Sequence, residues 1–352
     1  MPARGLVTAH RRALLAGAAA AALAGCGDPA GPPTEPSPAA VAYLHAALDL
    51  MQQYSINRYE IDWATVRAEA EARAGAAQTP AETYPAIRGA IEALGDHHSH
   101  LLLPGNAPGT HDQPPSVTSL VSGRMLDERI AYVFVPGFGG PDPRGRADST
   151  QAVIRALDGA GAVPPCGWVV DLRLNTGGNM YPMVAGLGPL LGDGVAGGLQ
   201  GTRGGYIEWY YEGGVAGTIQ GTTRHPVVTV TSAYRLRRAS PPVAVLYGPR
   251  TASSGEATAI SFRTLPNARS FGAPTRGLST GNQVFHLADG ATLVLTVAVM
   301  GDRTRTMYGG PLLPDEPVAG PEAPTPGEVD DVVRAAMAWL TAQPACAGTA
   351  SP

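Results

Sequence analysis

The sequence contains no lysine, because all 25 of its Lys and Arg residues are arginines. This absence removes one of the two usual ways of activating a serine nucleophile, in which a lysine amine accepts the hydroxyl proton. An excess of positive charge is also missing, since the formal net charge is −4. A chain with that balance offers no basic field for nucleic acid. We therefore expect no nucleic-acid partner, and we expect any catalytic serine to depend on histidine.

Long hydrophobic runs are scarce, and the one near the N-terminus is short. Two adjacent arginines, Arg11 and Arg12, precede an alanine-rich stretch that ends at Gly25. This apolar stretch is too short to span a bilayer. We interpret residues 1–25 as an export signal that ends in a Leu-Ala-Gly-Cys motif resembling a bacterial lipoprotein box. Cys26 is then the lipidated first residue of a membrane-anchored protein outside the cytoplasm, and 26–38 form a proline-rich tether. An ordinary signal peptide with an incidental cysteine is the alternative.

Cysteine is rare, with three residues in the chain. If Cys26 carries a lipid, Cys166 and Cys346 remain as an even pair in an oxidising compartment, where disulfides persist. We predict that these two are bridged. Two separate buried thiols are the alternative.

The sequence pattern divides the folded part into a helical segment and a segment that contains both strands and helices. Residues 39–102 are predicted to form a small N-terminal helical subdomain, with a third helix that starts at a capping box from Thr79 to Glu82. Residues 103–345 alternate strands with helices, which indicates an α/β core. The predicted strands cover 130–135, 168–174, 227–231, 243–247 and 292–297; a final helix covers 327–343, and a hairpin is favoured near 206–211 in the insert 192–242.

The loop after the third helix concentrates histidines at 97, 98 and 100. His98 with the neighbouring hydroxyl of Ser99 is typical of a general base held on a loop. A metal site built from His98, His100 and Asp96 is a second possibility. A solvated polar loop is the third.

Two further segments place serines and glycines where strands end. The strand at 168–174 runs into Asn-Thr-Gly-Gly, where the backbone N–H groups of Gly177 and Gly178 are able to approach a developing oxyanion. After the strand at 243–247, Ser253 and Ser254 lie at a strand-to-helix turn that suits a serine nucleophile. Taken alone, the first segment is also an ordinary strand-turn-helix junction, and the second is also a helix cap.

The order and spacing of these segments resemble peptidase family S41. The resemblance rests on the Gly-Asp-x-His-Ser loop, the Asp-Leu-Arg-x-Asn-x-Gly-Gly strand, the Thr-Ala-Ser-Ser-Gly-Glu turn and the later Gly-x-Pro-Thr-x-Gly-x-Ser-Thr-Gly-Asn loop, and it covers residues 40–342. It implies an α/β core similar to the crotonase and Clp protease superfamily, with a helical N-terminal subdomain. Residues 103–127 are too few for the PDZ domain that many processing proteases carry, so we expect none.

The resemblance also implies roles for single residues. Ser253 matches the family nucleophile, and the N–H of Ser254 with that of Gly177 or Gly178 would form the oxyanion hole. The lysine of the processing-protease branch is matched by Leu278, so the base is expected to be His98, as in the tricorn-like branch, with Ser99 beside it. His97 stands at a position that is usually glycine, which predicts a strained or altered backbone there.

The group that orients His98 is left open by the sequence. No carboxylate lies in 306–313, where the tricorn-like arrangement has one, and Asp302, Asp315 and Glu316 are the nearby substitutes. Ser99 or a backbone carbonyl is the other possibility.

These observations lead to a hypothesis of an exported, lipid-anchored serine peptidase that acts on peptides or unfolded protein chains and needs no cofactor or metal. One alternative is a catalytically inactive ligand- or envelope-binding protein on the same scaffold, and a non-peptide esterase is a third, narrower option.

Overall fold

The computed structural model describes residues 34–105 and 120–347. The predicted signal peptide, the lipidation site at Cys26 and most of the predicted tether lie outside these residues. The described residues from Glu35 onward form one compact unit. In the two described ranges, no helix is long and apolar enough to cross a membrane.

The N-terminal part is helical, as the spacing of its apolar residues predicts. It contains α1 (Pro38–Tyr54), α2 (Trp63–Ala74), a 3₁₀ turn (Pro80–Thr83) and α3 (Tyr84–Ala93). The Ser37 hydroxyl caps α1 by accepting the N–H of Ala40. The predicted capping box at Thr79 is not formed, since the Thr79 hydroxyl donates to the Glu82 carboxylate and Glu82 accepts the N–H of Gln78 instead.

A first sheet forms the centre of the α/β core. Within the described residues it has six strands: β2 (Ser122–Met125), β3 (Ile130–Phe134), β4 (Gly167–Asp171), β9 (Val243–Tyr247), β10 (Ala268–Gly272) and β13 (Glu316–Pro317). They lie in the order β13-β10-β9-β4-β3-β2, in which β2 is antiparallel to β3 and the other pairs are parallel. The strands β3, β4 and β9 are buried along their whole length, as expected for parallel strands covered on both faces.

A second sheet is antiparallel and, in the described part of the chain, has seven strands in the order β1-β12-β5-β6-β7-β8, with β11 paired to β12. Its strands are β1 (His100–Leu102), β5 (Gly194–Gly201), β6 (Tyr206–Glu212), β7 (Val215–Gln220), β8 (Thr223–Thr229), β11 (Thr280–His286) and β12 (Thr292–Gly301). The predicted hairpin is confirmed and extends into a meander from β5 to β8.

The remaining helices are α4 (Pro143–Asp158), α5 (Met180–Leu191), α6 (Ser254–Phe262), α7 (Asp331–Thr341) and α8 (Pro344–Ala347). The helices α4 to α6 pack in the largest apolar cluster, together with residues of both sheets. The helix α7 packs on the other side of the first sheet, in a cluster that includes Cys166 and Cys346. The structure joins these two cysteines in a disulfide, with their Cα atoms 5.0 Å apart.

The helical N-terminal part packs onto the hairpin of β11 and β12 through Leu287, Leu293 and Leu295. A polar clamp adds to this contact, because Asp289 in the hairpin turn accepts the hydroxyls of Tyr43 and Tyr84 at 2.6 and 2.5 Å. Partial burial is the largest single effect and raises the pKa of Asp289, but the hydrogen bonds from the two hydroxyls and from backbone N–H groups lower it, so the net pKa lies below its usual range. The clamp fixes the helices against the strand hairpin.

Parallel pairing decides where the polar turns meet. Asp171 at the end of β4 lies opposite Leu246 near the end of β9, so the segments that follow both strands leave the same edge of the sheet. The segment after β4 carries Gly177 and Gly178, and the segment after β9 carries Ser253. The buried ion pair of Arg173 with Asp171, 2.7 Å long, holds the end of β4 in place.

Candidate active site

Ser253 lies at a sharp turn between β9 and α6. Its backbone is in a left-handed conformation, with φ 53° and ψ −119°, which is uncommon for a residue with a side chain. The turn is held on both sides, since the Ser253 N–H donates to the Glu256 carboxylate at 2.8 Å and the Ala252 N–H donates to the Asn175 carbonyl at 3.0 Å. These bonds fix the direction in which the serine hydroxyl points.

Glu256 is fully buried beneath this turn. One carboxylate oxygen accepts the Ser253 N–H, and the other accepts the Thr275 hydroxyl at 2.5 Å and the Gly277 N–H at 3.0 Å. Burial raises the pKa of the Glu256 carboxyl, and the hydrogen bonds that it accepts act in the opposite direction. Glu256 therefore ties the serine turn to the loop that leads into β11.

His98 reaches Ser253 from the loop between α3 and β1. The Asp96 carboxylate accepts the N–H groups of His98 and Ser99 at 2.8 and 2.6 Å, which shapes this loop. The imidazole is buried, and its Nε2 lies 3.0 Å from Ser253 Oγ. His97 next to it has φ 56°, so this residue keeps a left-handed backbone at a position that is usually glycine, which is the strained one of the two expected outcomes.

Thr280 is the partner of the other imidazole nitrogen. Its Oγ1 lies 2.7 Å from His98 Nδ1, and the residue is buried at the start of β11. With the proton on Nδ1, the ring donates to Thr280 and leaves Nε2 to accept the proton of Ser253, the tautomer that a general base needs. This residue was not predicted from the sequence, where its position inside the Ser-Thr-Gly-Asn segment was the one available signal.

The partners expected for His98 have other contacts. The Ser99 hydroxyl donates to Asp96 at 2.7 Å and accepts the N–H of Thr296 at 2.9 Å. The candidate carboxylates are engaged as well: Asp302 accepts the hydroxyls of Thr304 and Tyr308, Asp315 accepts the hydroxyl of Ser270, and Glu316 pairs with Arg269. A hydroxyl therefore takes the place at which a carboxylate or Ser99 was expected.

The two candidate oxyanion donors in the glycine turn differ. The Gly177 N–H is already bonded to the Asn175 side chain at 3.0 Å. The Gly177 carbonyl accepts the N–H of Phe138, so the Gly178 N–H on the same trans peptide points the opposite way. In the described part of the chain this N–H has no hydrogen-bond acceptor. Of the two glycines, Gly178 is the one with a donor to offer.

Ser254 provides the second donor at the N-terminus of α6. Its N–H belongs to the first turn, where a helix has no internal acceptor and carries a partial positive charge. The Ser254 hydroxyl donates to the Gly178 carbonyl at 2.5 Å and links the two turns. A Cβ placed on Gly177 would lie 3.0 Å from the Ser253 Cβ, so the glycine turn lies directly against the serine.

The metal-site hypothesis requires Asp96, His98 and His100 to converge. Asp96 instead accepts backbone N–H groups, both ring nitrogens of His98 lie at hydrogen-bond distance from hydroxyls, and His100 Nδ1 lies 3.0 Å from the His98 carbonyl. Across residues 34–105 and 120–347, no group of three His, Cys, Asp or Glu side chains is arranged to hold a metal ion. The geometry is that of a nucleophile with a base.

Comparison with known proteins shows which family the fold resembles. The model of peptidase family S41 matches residues 129–316, a range that includes Ser253 and Thr280 and begins after His98. Over 285 residues the chain is 27% identical to a nisin-resistance protein of Lactococcus lactis subsp. lactis, with 79% of this chain and 83% of that protein covered.

Two solved structures share the fold. A lipoprotein from Streptococcus agalactiae superposes with a TM-score of 0.67 at 24% identity, covering 87% of this chain and 97% of that one. The photosystem II D1 C-terminal processing protease gives a TM-score of 0.55 at 16% identity, covering 84% and 96%. The expected α/β peptidase core is therefore confirmed, and the described residues contain no PDZ domain.

Proposed function

Because the chain belongs to peptidase family S41, we propose that it is an exported serine peptidase with Ser253 as nucleophile and His98 as general base. The observation that carries this proposal is the 3.0 Å distance between His98 Nε2 and Ser253 Oγ, in a site where Thr280 lies against the other ring nitrogen. The distance is within the range in which a base takes a proton directly.

The geometry supports an acyl-enzyme mechanism. Ser253 Oγ attacks the peptide carbonyl carbon while its proton passes to His98 Nε2, and the carbonyl oxygen becomes an oxyanion. The N–H groups of Gly178 and Ser254 stabilise that oxyanion. The proton on Nε2 then passes to the leaving amine as the peptide bond breaks. A water molecule, activated by the same imidazole, hydrolyses the acyl-enzyme and restores the serine.

The setting of the enzyme is also part of the proposal. The N-terminal sequence supports export and a lipid anchor at Cys26, so the substrates are peptides or unfolded protein chains outside the cytoplasm. The disulfide between Cys166 and Cys346 fits an oxidising compartment. The likeness to a protein named for nisin resistance makes nisin a substrate to test early.

Labelling with a fluorophosphonate probe tests the proposal. We expect a single modification at Ser253, lost in Ser253→Ala and slowed by several orders of magnitude in His98→Ala. His100→Ala is the matched control on the same loop and should label at a rate close to that of the wild type. Labelling that chelators abolish, or that falls equally in His98→Ala and His100→Ala, would contradict this assignment.

One observation favours a second candidate function. The group that faces His98 Nδ1 is a neutral hydroxyl, which stabilises an imidazolium less than a carboxylate does. A binding protein that keeps the scaffold without the chemistry is consistent with that weaker partner. Folded wild-type protein that binds unfolded chains but shows no labelling at Ser253 would establish this alternative.

A further inference from the structure

Among the described residues, the strand β11 has an open edge next to the candidate active site. In the described part of the chain its one strand neighbour is β12, and Asn282, Gln283, Val284 and His286 are exposed. The edge carries a row of backbone groups that another strand is able to pair with. Neither a proline nor a charged Arg, Asp or Glu side chain protects it between Thr280 and His286.

Another edge strand of the same sheet, β8, is protected in the usual way. The strand β8 carries Pro226 and Arg224, and both proline and charge on an edge strand discourage pairing with another chain. The contrast between the two edges indicates that β11 is left open for a partner.

The register shows which backbone groups of β11 face outward. Thr296 of β12 lies opposite Asn282 but makes no backbone hydrogen bond to β11, because its N–H donates to the Ser99 hydroxyl and its carbonyl accepts the N–H of Ile56. The pair of Asn282 with Thr296 is therefore of the type without hydrogen bonds, and such pairs alternate along an antiparallel ladder.

The same alternation assigns the next pairs. Val294 and Thr292, opposite Val284 and His286, are the residues of β12 that pair with His100 and Leu102 of β1 on the far side. Asn282, Val284 and His286 thus turn their N–H and C=O groups to the open edge, whereas Gln283 and Phe285 bond to β12.

This edge begins at the catalytic pair. Thr280 is the first residue of β11 and lies 2.7 Å from His98, and the Asn282 side chain donates to the His98 carbonyl at 3.3 Å. A polypeptide with one carbonyl at Ser253 therefore has neighbouring residues beside β11. Because β11 runs away from the site, an antiparallel partner runs toward it and brings its scissile bond to Ser253.

We infer that substrates bind as an added antiparallel strand on β11, with the residues N-terminal to the scissile bond paired to Asn282, Val284 and His286. The inference deepens the proposed peptidase function and rests on it. At a rise of about 3.4 Å per residue, the three outward positions span about 14 Å and engage about five substrate residues. Recognition of backbone groups favours extended, unfolded chains of varied sequence.

A scan of backbone N-methylation tests this mode of binding. The probe is a decapeptide that spans the bond cut first in reduced, carboxymethylated α-lactalbumin. Because strand pairing uses every second N–H, methylation at alternate residues N-terminal to the bond should lower kcat/KM by about three- to tenfold per site. Methylation at the residues between them should have little effect. Sensitivity without this alternation, or confined to the C-terminal side, would overturn the inference.

Val284→Pro tests the edge from the protein side. Proline removes one outward N–H and leaves the ladder to β12 intact, which edge strands tolerate. We expect kcat/KM for the decapeptide to fall about three- to tenfold, through KM, with an unchanged rate of fluorophosphonate labelling at Ser253. Val284→Ala keeps the N–H and serves as the matched control. Equal kcat/KM in the two variants would overturn the inference while leaving the peptidase proposal standing.

Hydrogen exchange in Ser253→Ala separates docking from catalysis. On addition of reduced, carboxymethylated α-lactalbumin, exchange of the Val284 N–H should slow, whereas the Gln283 N–H, already bonded to β12, should not change. Unchanged exchange at Val284 would refute docking on this edge. Slowed exchange together with a wild type that neither labels nor cuts would retain the docking edge and refute the peptidase proposal.

Discussion

Removing the hydroxyl that faces His98 is expected to slow catalysis without preventing folding. Thr280 Oγ1 lies 2.7 Å from His98 Nδ1, and Thr280 is 8% exposed. Valine has nearly the same shape as threonine but no hydrogen-bonding group. In Thr280→Val the Nδ1–H of the base therefore loses its acceptor at a buried position.

The size of the effect depends on how much stronger the hydrogen bond between His98 and Thr280 is in the transition state than before the reaction. A general base must be neutral before it accepts the serine proton, and a neutral hydrogen bond contributes about 0.5–1.5 kcal/mol. In the transition state the ring carries a positive charge, and a hydrogen bond to a charged group contributes about 1.5–3 kcal/mol. The difference, about 1–2 kcal/mol, corresponds to a fall in kcat of about 5- to 30-fold. Since this hydroxyl faces the base, KM should change little.

The assay compares wild type, Thr280→Val and Thr280→Ser with the α-lactalbumin decapeptide. Serine retains the hydroxyl, so it should restore most of the kcat that valine loses, and the rate of fluorophosphonate labelling should follow kcat because both reactions use the same base. Thermal unfolding of the three proteins shows whether folding is intact. Wild-type kcat in Thr280→Val, or a loss in Thr280→Ser as large as in Thr280→Val, would refute the orienting role.

Three further changes test the remaining parts of the site and the fold. Gly178→Ala should abolish labelling, because the residue has φ 108° and a Cβ there would lie 2.0 Å from a backbone oxygen; Gly205→Ala, with open space around it, is the control. Glu256→Gln should lower kcat by about 5- to 150-fold, because an amide donor then faces backbone N–H groups at a cost of about 1–3 kcal/mol; unchanged kcat would contradict this. Asp289 has a lowered pKa, so it stabilises the fold above its unfolded pKa of about 3.9, and that contribution is lost as pH falls through the folded value. The urea midpoint of Asp289→Asn should therefore change less between pH 6 and pH 3 than that of the wild type.

The sequence was sufficient for features that depend on local patterns. Buried strands such as β3 and β9 are short apolar runs, and the helices α1 and α2 show apolar residues at helical spacing. Ser253 and His98 were assigned from motifs that stand 155 positions apart. Their contact was therefore predicted from the family pattern and not from any local signal.

Features that depend on tertiary hydrogen bonds were not predictable in the same way. The choice between Gly177 and Gly178 is made by the Asn175 side chain, which bonds one N–H and leaves the other. Thr280 was missed because a lone hydroxyl is common in sequences and its partner is 182 positions away. The edge strand β11 was also missed, since its polar residues show no apolar alternation.

The missing lysine has a structural counterpart in the loop between Thr275 and Thr280. In the processing-protease branch of the family, a lysine at the position of Leu278 would supply the base from this loop. Here the buried Glu256 carboxylate holds the loop in place, because it accepts the Gly277 N–H at 3.0 Å as well as the Ser253 N–H. Two residues after Leu278 it delivers the Thr280 hydroxyl to His98. A loop that would hold the base in a lysine enzyme therefore places a hydroxyl against the proposed base in this chain, an arrangement in which serine activation would need no lysine.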